Sequence, residues 1–174
     1  MLRKIEIHHS RELTAKAKAL YYAAFPREER IPWSILWWNT KRKDLHFTAY
    51  LDGTVFCGFT IAVQLDGLYY VLFFAVDETL RGKGYGSQIL GQLRDEYGTL
   101  GLNIEPLDPT AENYAQRQKR FAFYQKNGFL DTEHYVWEVG GKFRVLSTDK
   151  KLPMSQVKKV FRKLTMGLLN VKTQ

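Results

Sequence analysis

The sequence predicts a mixed α/β fold in which helices pack on a central, mostly antiparallel sheet. Two turn pairs, Asp52-Gly53 and Asp66-Gly67, divide the middle of the chain into three short apolar segments typical of antiparallel strands. Helical periodicity precedes and follows these segments, and further strand patterns alternate with helices toward the C-terminus. This order of elements predicts helices layered on one sheet of about six or seven strands.

Length and composition limit the class of protein. The chain has 174 residues, 45% of them hydrophobic, which is enough for one domain with a sizeable core. Its net charge of +8 attracts anions such as nucleic acid, acidic membranes or phosphorylated cofactors, and does not choose among them. The single cysteine, Cys57, excludes an intramolecular disulfide and fits a reducing compartment. With neither a signal peptide nor a bilayer-length apolar run, we expect a cytoplasmic protein.

The N-terminal third predicts a strand and two helical segments. The strand is expected at Lys4 to His8, and Ser10 is a candidate N-cap for a helix that ends near Ala24. A charged link between Pro26 and Pro32 leads to an aromatic segment. The apolar positions at helical spacing and the aromatic stretch are Leu13, Ala17, Leu20, Tyr21 and Ala24, followed by Trp33 to Trp38.

The three central strands are predicted at Phe47 to Leu51, Val55 to Gln64 and Leu68 to Val76. The last of them is almost wholly apolar, which indicates a strand buried on both faces and central in the sheet. A glycine-rich loop, Gly82 to Gly86, follows it and opens a helix that should stop at Gly98.

The C-terminal half continues with alternating elements. A strand is expected at Leu100 to Glu105, a helix at Glu112 to Lys126, and a hairpin at Thr132 to Val139 and Phe143 to Ser147. Pro153 opens a last, basic helix whose apolar face comprises Val157, Val160, Phe161, Leu164 and Leu168.

The glycine-rich loop carries the clearest chemical signal. Its N–H groups, with a helix N-terminus behind them, form a site for phosphate, and Arg81 and Lys83 add positive charge. A Walker loop would need Lys followed by Ser or Thr after the last glycine, which Gly86-Ser87-Gln88 does not supply. A dinucleotide fingerprint would need G-x-G-x-x-G in a parallel unit, and the strand before this loop belongs to an antiparallel meander. The pattern R/Q-x-x-G-x-G/A is matched at every fixed position by Arg81, Gly84 and Gly86.

This third pattern is the acetyl-CoA signature of the GNAT superfamily of N-acetyltransferases, which the chain resembles. The resemblance extends to a following strand, Leu102 to Glu105, and to a helix ending in F-Y-x-x-x-G-F, matched by Phe123 to Phe129. It covers about residues 2 to 150. It implies the GNAT fold, in which parallel fourth and fifth strands splay apart and acyl-CoA lies in the opening.

The resemblance also implies roles for individual residues. Acetyl-CoA is the expected co-substrate, without a metal and without a covalent enzyme intermediate, because the acceptor amine attacks the thioester directly. Tyr124 stands at the position of the family's tyrosine near the coenzyme sulfur and is expected to act as general acid. Glu105 is expected to take the amine proton, directly or through water. The expected coenzyme contacts are strand main chain at Phe74, Ala75 and Val76, and loop residues Arg81, Gly82, Lys83, Gly84, Tyr85, Gly86 and Ser87.

One position departs from the family pattern. Many members have Asn seven residues before the motif tyrosine, and this chain has Arg117 there. Arg117 or Arg120 would meet a coenzyme phosphate or would be an exposed helix charge. In the superfamily the first two helices and their link cover the acceptor. The residues of that region, which either contact a substrate or cover the core, are Tyr21, Tyr22, Phe25, Arg27, Glu28, Glu29, Trp33, Trp37 and Trp38.

The sequence therefore predicts an N-acetyltransferase that moves an acetyl group from acetyl-CoA to a primary amine of a small molecule or peptide. The alternative is a basic nucleic-acid-binding or CoA-binding regulatory protein of the same fold without turnover. We expect a transferase domain at residues 1–150 and a basic amphipathic helix at 151–174 packed on it. Neither nucleic acid nor a membrane is an expected partner, and a homodimer stays open. Cys57 is expected to be a packing residue, and the four histidines have no metal spacing.

Overall fold

A computed structural model describes residues 1–138, 141–164 and 172–173. The chain divides into two compact units, one formed by Met1–Gln64 and Val71–Glu96, the other by Leu65–Tyr70 and Tyr97–Gln174. The helices are α1 (Arg11–Ala24), α2 (Trp33–Asn39), α3 (Tyr85–Tyr97), α4 (Tyr114–Lys126) and α5 (Met154–Leu164). The strands are β1 (Arg3–Glu6), β2 (Leu45–Asp52), β3 (Val55–Leu65), β4 (Leu68–Val76), β5 (Thr99–Ile104), β6 (Leu130–Glu138), β7 (Gly141–Ser147) and β8 (Lys172–Thr173).

The first unit has strands in the order β1-β2-β3-β4, and the β1–β2 and β2–β3 pairs are antiparallel. The sequence predicted the antiparallel pairing of β2 with β3 and predicted no pairing for β1. Helix α1 begins where expected, since the Ser10 hydroxyl accepts a hydrogen bond from the Leu13 amide at 3.3 Å. Its face with Leu13, Ala17 and Tyr21 is buried, and the Tyr21 ring lies 5.1 Å from that of Phe73 in β4. This aromatic contact fixes α1 on the sheet.

Strand β1 is shorter than predicted, because it ends at Glu6 and Ile7–His9 form a 3-10 turn. The Ile7 carbonyl accepts hydrogen bonds from the Ser10 amide at 3.0 Å and from the Thr14 hydroxyl at 2.8 Å. The Ile7 carbonyl therefore accepts hydrogen bonds from the start of α1 and does not take part in the sheet. The strand ends at Glu6, two residues before its predicted end at His8.

The second unit contains the start of β4, residues 68–70, and has the strand order β4-β5-β7-β6-β8. Strand β5 is parallel to β4 and antiparallel to β7, from Gly101 opposite Ser147 to Ile104 opposite Arg144. The Tyr70 hydroxyl donates a hydrogen bond to the Asn103 side chain on the neighbouring strand. Helix α5 buries Val157, Val160 and Phe161, as its periodicity predicted.

Several boundaries in the second unit differ from the prediction by one or two residues, and two of these differences have a local cause. Strand β5 ends at Ile104 rather than Glu105, because Pro106 has no N–H to continue a ladder. Helix α4 starts at Tyr114 rather than Glu112, since the Asp108 side chain accepts from the Thr110 amide and hydroxyl and its carbonyl from the Ala111 amide. Val139 and Leu168, predicted in the hairpin and the last helix, lie outside the described residues. The mixed α/β class, with parallel β4 and β5, is confirmed.

Candidate active site

The loop after β4 presents a set of backbone N–H groups without acceptors. Gly82 and Gly84 have φ of +79° and +84°, a conformation that other residues rarely adopt. The Arg81 and Lys83 amides bond to the carbonyls of Glu78 and Leu80, and the Gln88 amide bonds to Gly84. Within the described residues, no acceptor faces the amides of Gly82, Gly84, Tyr85, Gly86 and Ser87.

The position of these donors is favourable for an anion. Tyr85, Gly86 and Ser87 open α3, so their N–H groups have no carbonyl four residues back within the helix. The helix dipole places partial positive charge at the same end, and the exposed side chains of Arg81 and Lys83 add two full charges. Five donors and two cations on one loop are suited to a pyrophosphate.

The end of β4 is held very close to β3. A Cβ added at Gly58 would lie 2.3 Å from the Ala75 carbonyl oxygen and 3.0 Å from the Val76 Cα, both backbone atoms. The Asp77 amide donates to the Cys57 carbonyl at 2.9 Å just beyond this point. Gly58 is therefore required by close backbone approach, which fixes the main chain at Ala75 and Val76.

A contact that the sequence did not predict fixes the loop. The Tyr85 hydroxyl donates a hydrogen bond to the Asp52 carboxylate at 2.8 Å, which ties the start of α3 to the turn between β2 and β3. This hydrogen bond raises the pKa of Tyr85, so the phenol stays protonated as the donor. The only signal in the sequence was an aspartate in a tight turn, which is common in hairpins without any ligand or loop contact.

Tyr124, in the second unit, is a buried phenol on the last turn of α4. Its ring packs edge-on against Phe123 and Phe129, at 5.3 and 5.5 Å between centroids. Burial raises the pKa of Tyr124 to about 12, against an opposing effect of the Arg120 charge one turn earlier. The hydroxyl is thus a proton donor at neutral pH, and within the described residues no hydrogen bond occupies it.

Glu105 is the centre of a polar cluster in the second unit. One carboxylate oxygen accepts from Asn113 at 2.9 Å and lies 3.4 Å from Arg117 Nε, and the other accepts from Arg120. Arg117 also donates to the Asn113 side chain at 2.7 Å and to the Pro106 carbonyl at 3.0 Å. The sequence singled out Glu105, Arg117 and Arg120 separately and did not predict that they pair.

The aromatic residues of the α1–α2 region divide between core and surface. Trp33 packs on Phe47 at 5.2 Å and on Tyr21 at 5.8 Å, whereas Trp37 and Trp38 are 40% and 75% exposed. Trp33 therefore covers the core, which was one of the two alternatives predicted for these residues. Trp37 and Trp38 are surface residues.

Cys57 and the candidate metal-ligating side chains lack an environment that would make them reactive. Burial raises the pKa of the Cys57 thiol, which keeps it in the unreactive protonated form expected of a packing residue. In the described ranges no group of three or more His, Cys, Asp or Glu side chains is arranged to bind a metal ion. None of the helices in the described part of the chain combines the length and apolar character that a bilayer crossing requires.

A glycine-rich loop with unbonded amides, placed between a buried strand and a helix in a mixed sheet, is an arrangement suited to a phosphorylated ligand. The family model described as "Acetyltransferase (GNAT) domain" matches residues 42–130, which include β4 and the loop. The chain belongs to the GNAT acetyltransferase family.

Individual relatives agree with this assignment. The "Putative acetyltransferase YjbC" of Bacillus subtilis (strain 168) is 26% identical over 87 residues, half of this chain and 42% of that protein's length. The structure described as "Putative acetyltransferase from GNAT family from Bacteroides thetaiotaomicron" has a TM-score of 0.77 at 22% identity, covering 96% of this chain and 99% of that one. An aminoglycoside 6'-N-acetyltransferase complexed with coenzyme A has a TM-score of 0.67 at 15% identity, covering 84% and 95%. At these identities the two structures show a shared fold.

Proposed function

We propose that the chain is an N-acetyltransferase that moves the acetyl group of acetyl-CoA to a primary amine of a small molecule or peptide. The observation that carries the proposal is the loop of five backbone N–H groups without acceptors, flanked by Arg81 and Lys83. The coenzyme A in the similar aminoglycoside acetyltransferase structure supports the choice of ligand. We assign the transferase to residues 1–150 and the basic helix that follows to the same protein domain.

In the proposed complex, the amides of the loop from Arg81 to Ser87 that lack acceptors hold the coenzyme pyrophosphate, and the Arg81 and Lys83 side chains add positive charge. The main chain from Phe74 to Val76, fixed by the close approach of Gly58, holds the pantetheine arm by hydrogen bonds. Binding of both substrates together brings amine and thioester into contact, which can lower the barrier by about 7–11 kcal/mol.

The transfer itself needs two proton movements. The neutral amine nitrogen attacks the thioester carbonyl carbon, a C–N bond forms, and the C–S bond breaks to release the CoA thiolate. Tyr124, a phenol that is protonated at neutral pH, gives its proton to that thiolate. Glu105, directly or through water, takes the proton that the nitrogen loses. The hydrogen bonds from Asn113 and Arg120 orient the carboxylate and compete with this second role.

The first test separates loop function from backbone strain. Gly84→Ala and Gly67→Ala place a methyl group at φ of +84° and +79°, each with no atom within 4 Å of the new Cβ. Both should lose about 1–2 kcal/mol of stability. Only Gly84→Ala should weaken acetyl-CoA binding, by at least about tenfold in calorimetry, because its methyl group and the strained backbone would disturb the close approach of the coenzyme to the loop. Equal affinities for the two variants would contradict the loop assignment.

The second test concerns turnover. Purified protein is mixed with acetyl-CoA and polyamines, aminoglycosides, amino acids or peptides, and free thiol is measured. Tyr124→Phe should lower kcat at least about tenfold at unchanged coenzyme affinity, with Tyr114→Phe on the same helix as control. Unaltered turnover would remove Tyr124 from the mechanism, and a Glu105→Gln pH–rate profile with an unchanged acidic limb would remove Glu105.

Outcomes of the same assays distinguish the alternatives. Acetyl-CoA binding without thiol release for any amine would indicate a regulatory module. Salt-sensitive DNA binding without acetyl-CoA binding would indicate a nucleic-acid-binding protein.

A further inference from the structure

The first unit contains a surface groove lined by none of the residues that the proposed function assigns to coenzyme binding or to proton transfer. It is a shallow, open groove with a volume of about 620 Å³. None of its residues belongs to the glycine-rich loop or to β4. We call it the α1–α2 groove, and its lining residues are Arg11, Thr14, Ala15, Lys18, Tyr22, Pro32, Trp33, Ser34 and Trp37.

The groove lies on a side of α1 that does not face the core. Positions 11, 15, 18 and 22 form one stripe along the helix, because residues three and four apart share a face. The buried positions Leu13, Ala17 and Tyr21 form a different stripe. The groove is therefore a feature of the outer face of α1 and is not a gap in the core.

Aromatic surface dominates its walls. Trp37 is 40% exposed and Tyr22 42% exposed, and both line the groove beside Trp33. The Arg30 guanidinium lies 5.1 Å from the centroid of the Tyr22 ring and holds that ring in place by a cation–π contact. Flat, partly fixed aromatic faces are suited to a flat apolar ligand.

The charge in the groove has one sign. Arg11 and Lys18 line it, and in the described ranges neither side chain has an ion-pair or hydrogen-bond partner. No carboxylate is among the lining residues. Glu12, beside Arg11 in the sequence, forms its ion pair with Lys16 at 2.6 Å, and neither of these two lines the groove.

From these observations we propose that the α1–α2 groove binds a small aromatic carboxylic acid. The ring packs on Trp33 and Trp37, and the carboxylate lies between Arg11 and Lys18, with the Ser34 hydroxyl as a further donor. Arg and Lys bind carboxylates by charge-assisted hydrogen bonds, whereas an ammonium ligand would meet two like charges. The groove is accordingly not a site for a polyamine or an aminoglycoside acceptor.

The probe set is 3-phenylpropionate, its neutral amide and the cationic 3-phenylpropylamine, each titrated into the ¹⁵N-labelled full chain. The chain's four tryptophans report binding through their indole N–H signals, assigned by single Trp→Phe variants. Signals of Trp33 and Trp37 should shift, while that of Trp137, in the second unit, stays unchanged. The carboxylate should bind at least about tenfold more tightly than the amide, and the amine least.

Matched variants test the charge recognition. Arg11→Gln/Lys18→Gln should bring carboxylate affinity down to that of the amide, while Lys16→Gln, on the same helix outside the groove, leaves it unchanged. The urea midpoint and the dispersion of the ¹⁵N spectrum of each variant serve as the folding controls, because neither depends on the proposed coenzyme site. Absence of shifts at Trp33 and Trp37, equal affinity for the three probes, or an unaffected double variant would each overturn the proposal. Failure of the chain to bind acetyl-CoA would contradict the proposed function and would leave these three outcomes unaffected.

Discussion

Replacement of Glu105 by Gln should destabilise the protein measurably, whatever its part in catalysis. The Glu105 side chain is 13% exposed, and its carboxylate accepts from Asn113 and Arg120 and pairs with Arg117. Exposed ion pairs contribute about 0–1 kcal/mol. Hydrogen bonds to charged groups contribute about 1.5–3 kcal/mol, and loss of one partner of a fully buried pair costs about 3–5 kcal/mol.

The exposure of the two arginines that contact Glu105 decides which of these free-energy costs applies. The Arg117 and Arg120 side chains are 20% and 37% exposed, so water compensates part of the lost charge. Gln keeps the size of the side chain and one acceptor oxygen, but its NH₂ group faces a guanidinium. We expect Glu105→Gln to lower the free energy of unfolding by about 2 kcal/mol.

Urea denaturation followed by circular dichroism measures the change, with Glu112→Gln as control. Glu112 is exposed two residues before the start of α4, and its replacement should change stability by less than about 0.5 kcal/mol. The double variant Glu105→Gln/Arg120→Gln should cost less than the sum of the single variants, because the two residues share one interaction. A Glu105→Gln midpoint equal to that of the parent chain would refute the cluster as a source of stability.

Two further predictions concern the first unit. Gly58→Ala should destabilise by at least about 1–3 kcal/mol, since its Cβ meets the Ala75 carbonyl at 2.3 Å, whereas Gly91→Ala, inside α3 with open space, should stabilise by about 0.5–1 kcal/mol. Urea midpoints that shift in the same direction would contradict this contrast. Burial alone would raise the pKa of Glu6, but the His46 imidazole 3.8 Å away and hydrogen bonds from the Thr48 hydroxyl and the Phe47 amide outweigh burial and lower it from 4.5. Its folded pKa is the lower one, so this stabilisation is present above pH 4.5 and is lost as pH falls through the folded value. The stability difference between the parent chain and Glu6→Gln should shrink over that acid range, and a constant difference in urea melts would argue against it.

The sequence determined the elements best where the signal is local. Strand β4 has the predicted bounds, because its apolar run starts after the turn glycine and stops at the polar Asp77. Helix α1 starts at the predicted cap, since Ser10 acts on an amide only three residues away. The end of β1 was missed because the Ile7 carbonyl is taken by Ser10 and Thr14, a competition that leaves no periodic pattern.

The same distinction applies to the candidate sites. The loop could be predicted because its function resides in the backbone, and glycines at fixed spacing reveal that backbone in the sequence. The Glu105 cluster could not, since Arg120 is fifteen residues away and pairing depends on how α4 packs against the end of β5. The α1–α2 groove could not either, because an aromatic residue such as Trp33 or Trp37 has the same pattern whether it is buried or exposed.

The cluster also decides what Arg117 contributes where many family members have asparagine. Arg117 is not an exposed helix charge, because its side chain is 20% exposed, donates to Asn113 and Pro106 and pairs with Glu105. Redirecting its guanidinium to a coenzyme phosphate would break these contacts and leave the Glu105 carboxylate with fewer partners. In the proposed complex, we therefore expect the loop amides and the side chains of Arg81 and Lys83 to compensate the negative charge of the coenzyme phosphates. On this reasoning, the loop variants test coenzyme recognition directly, whereas an Arg117 variant would change stability first.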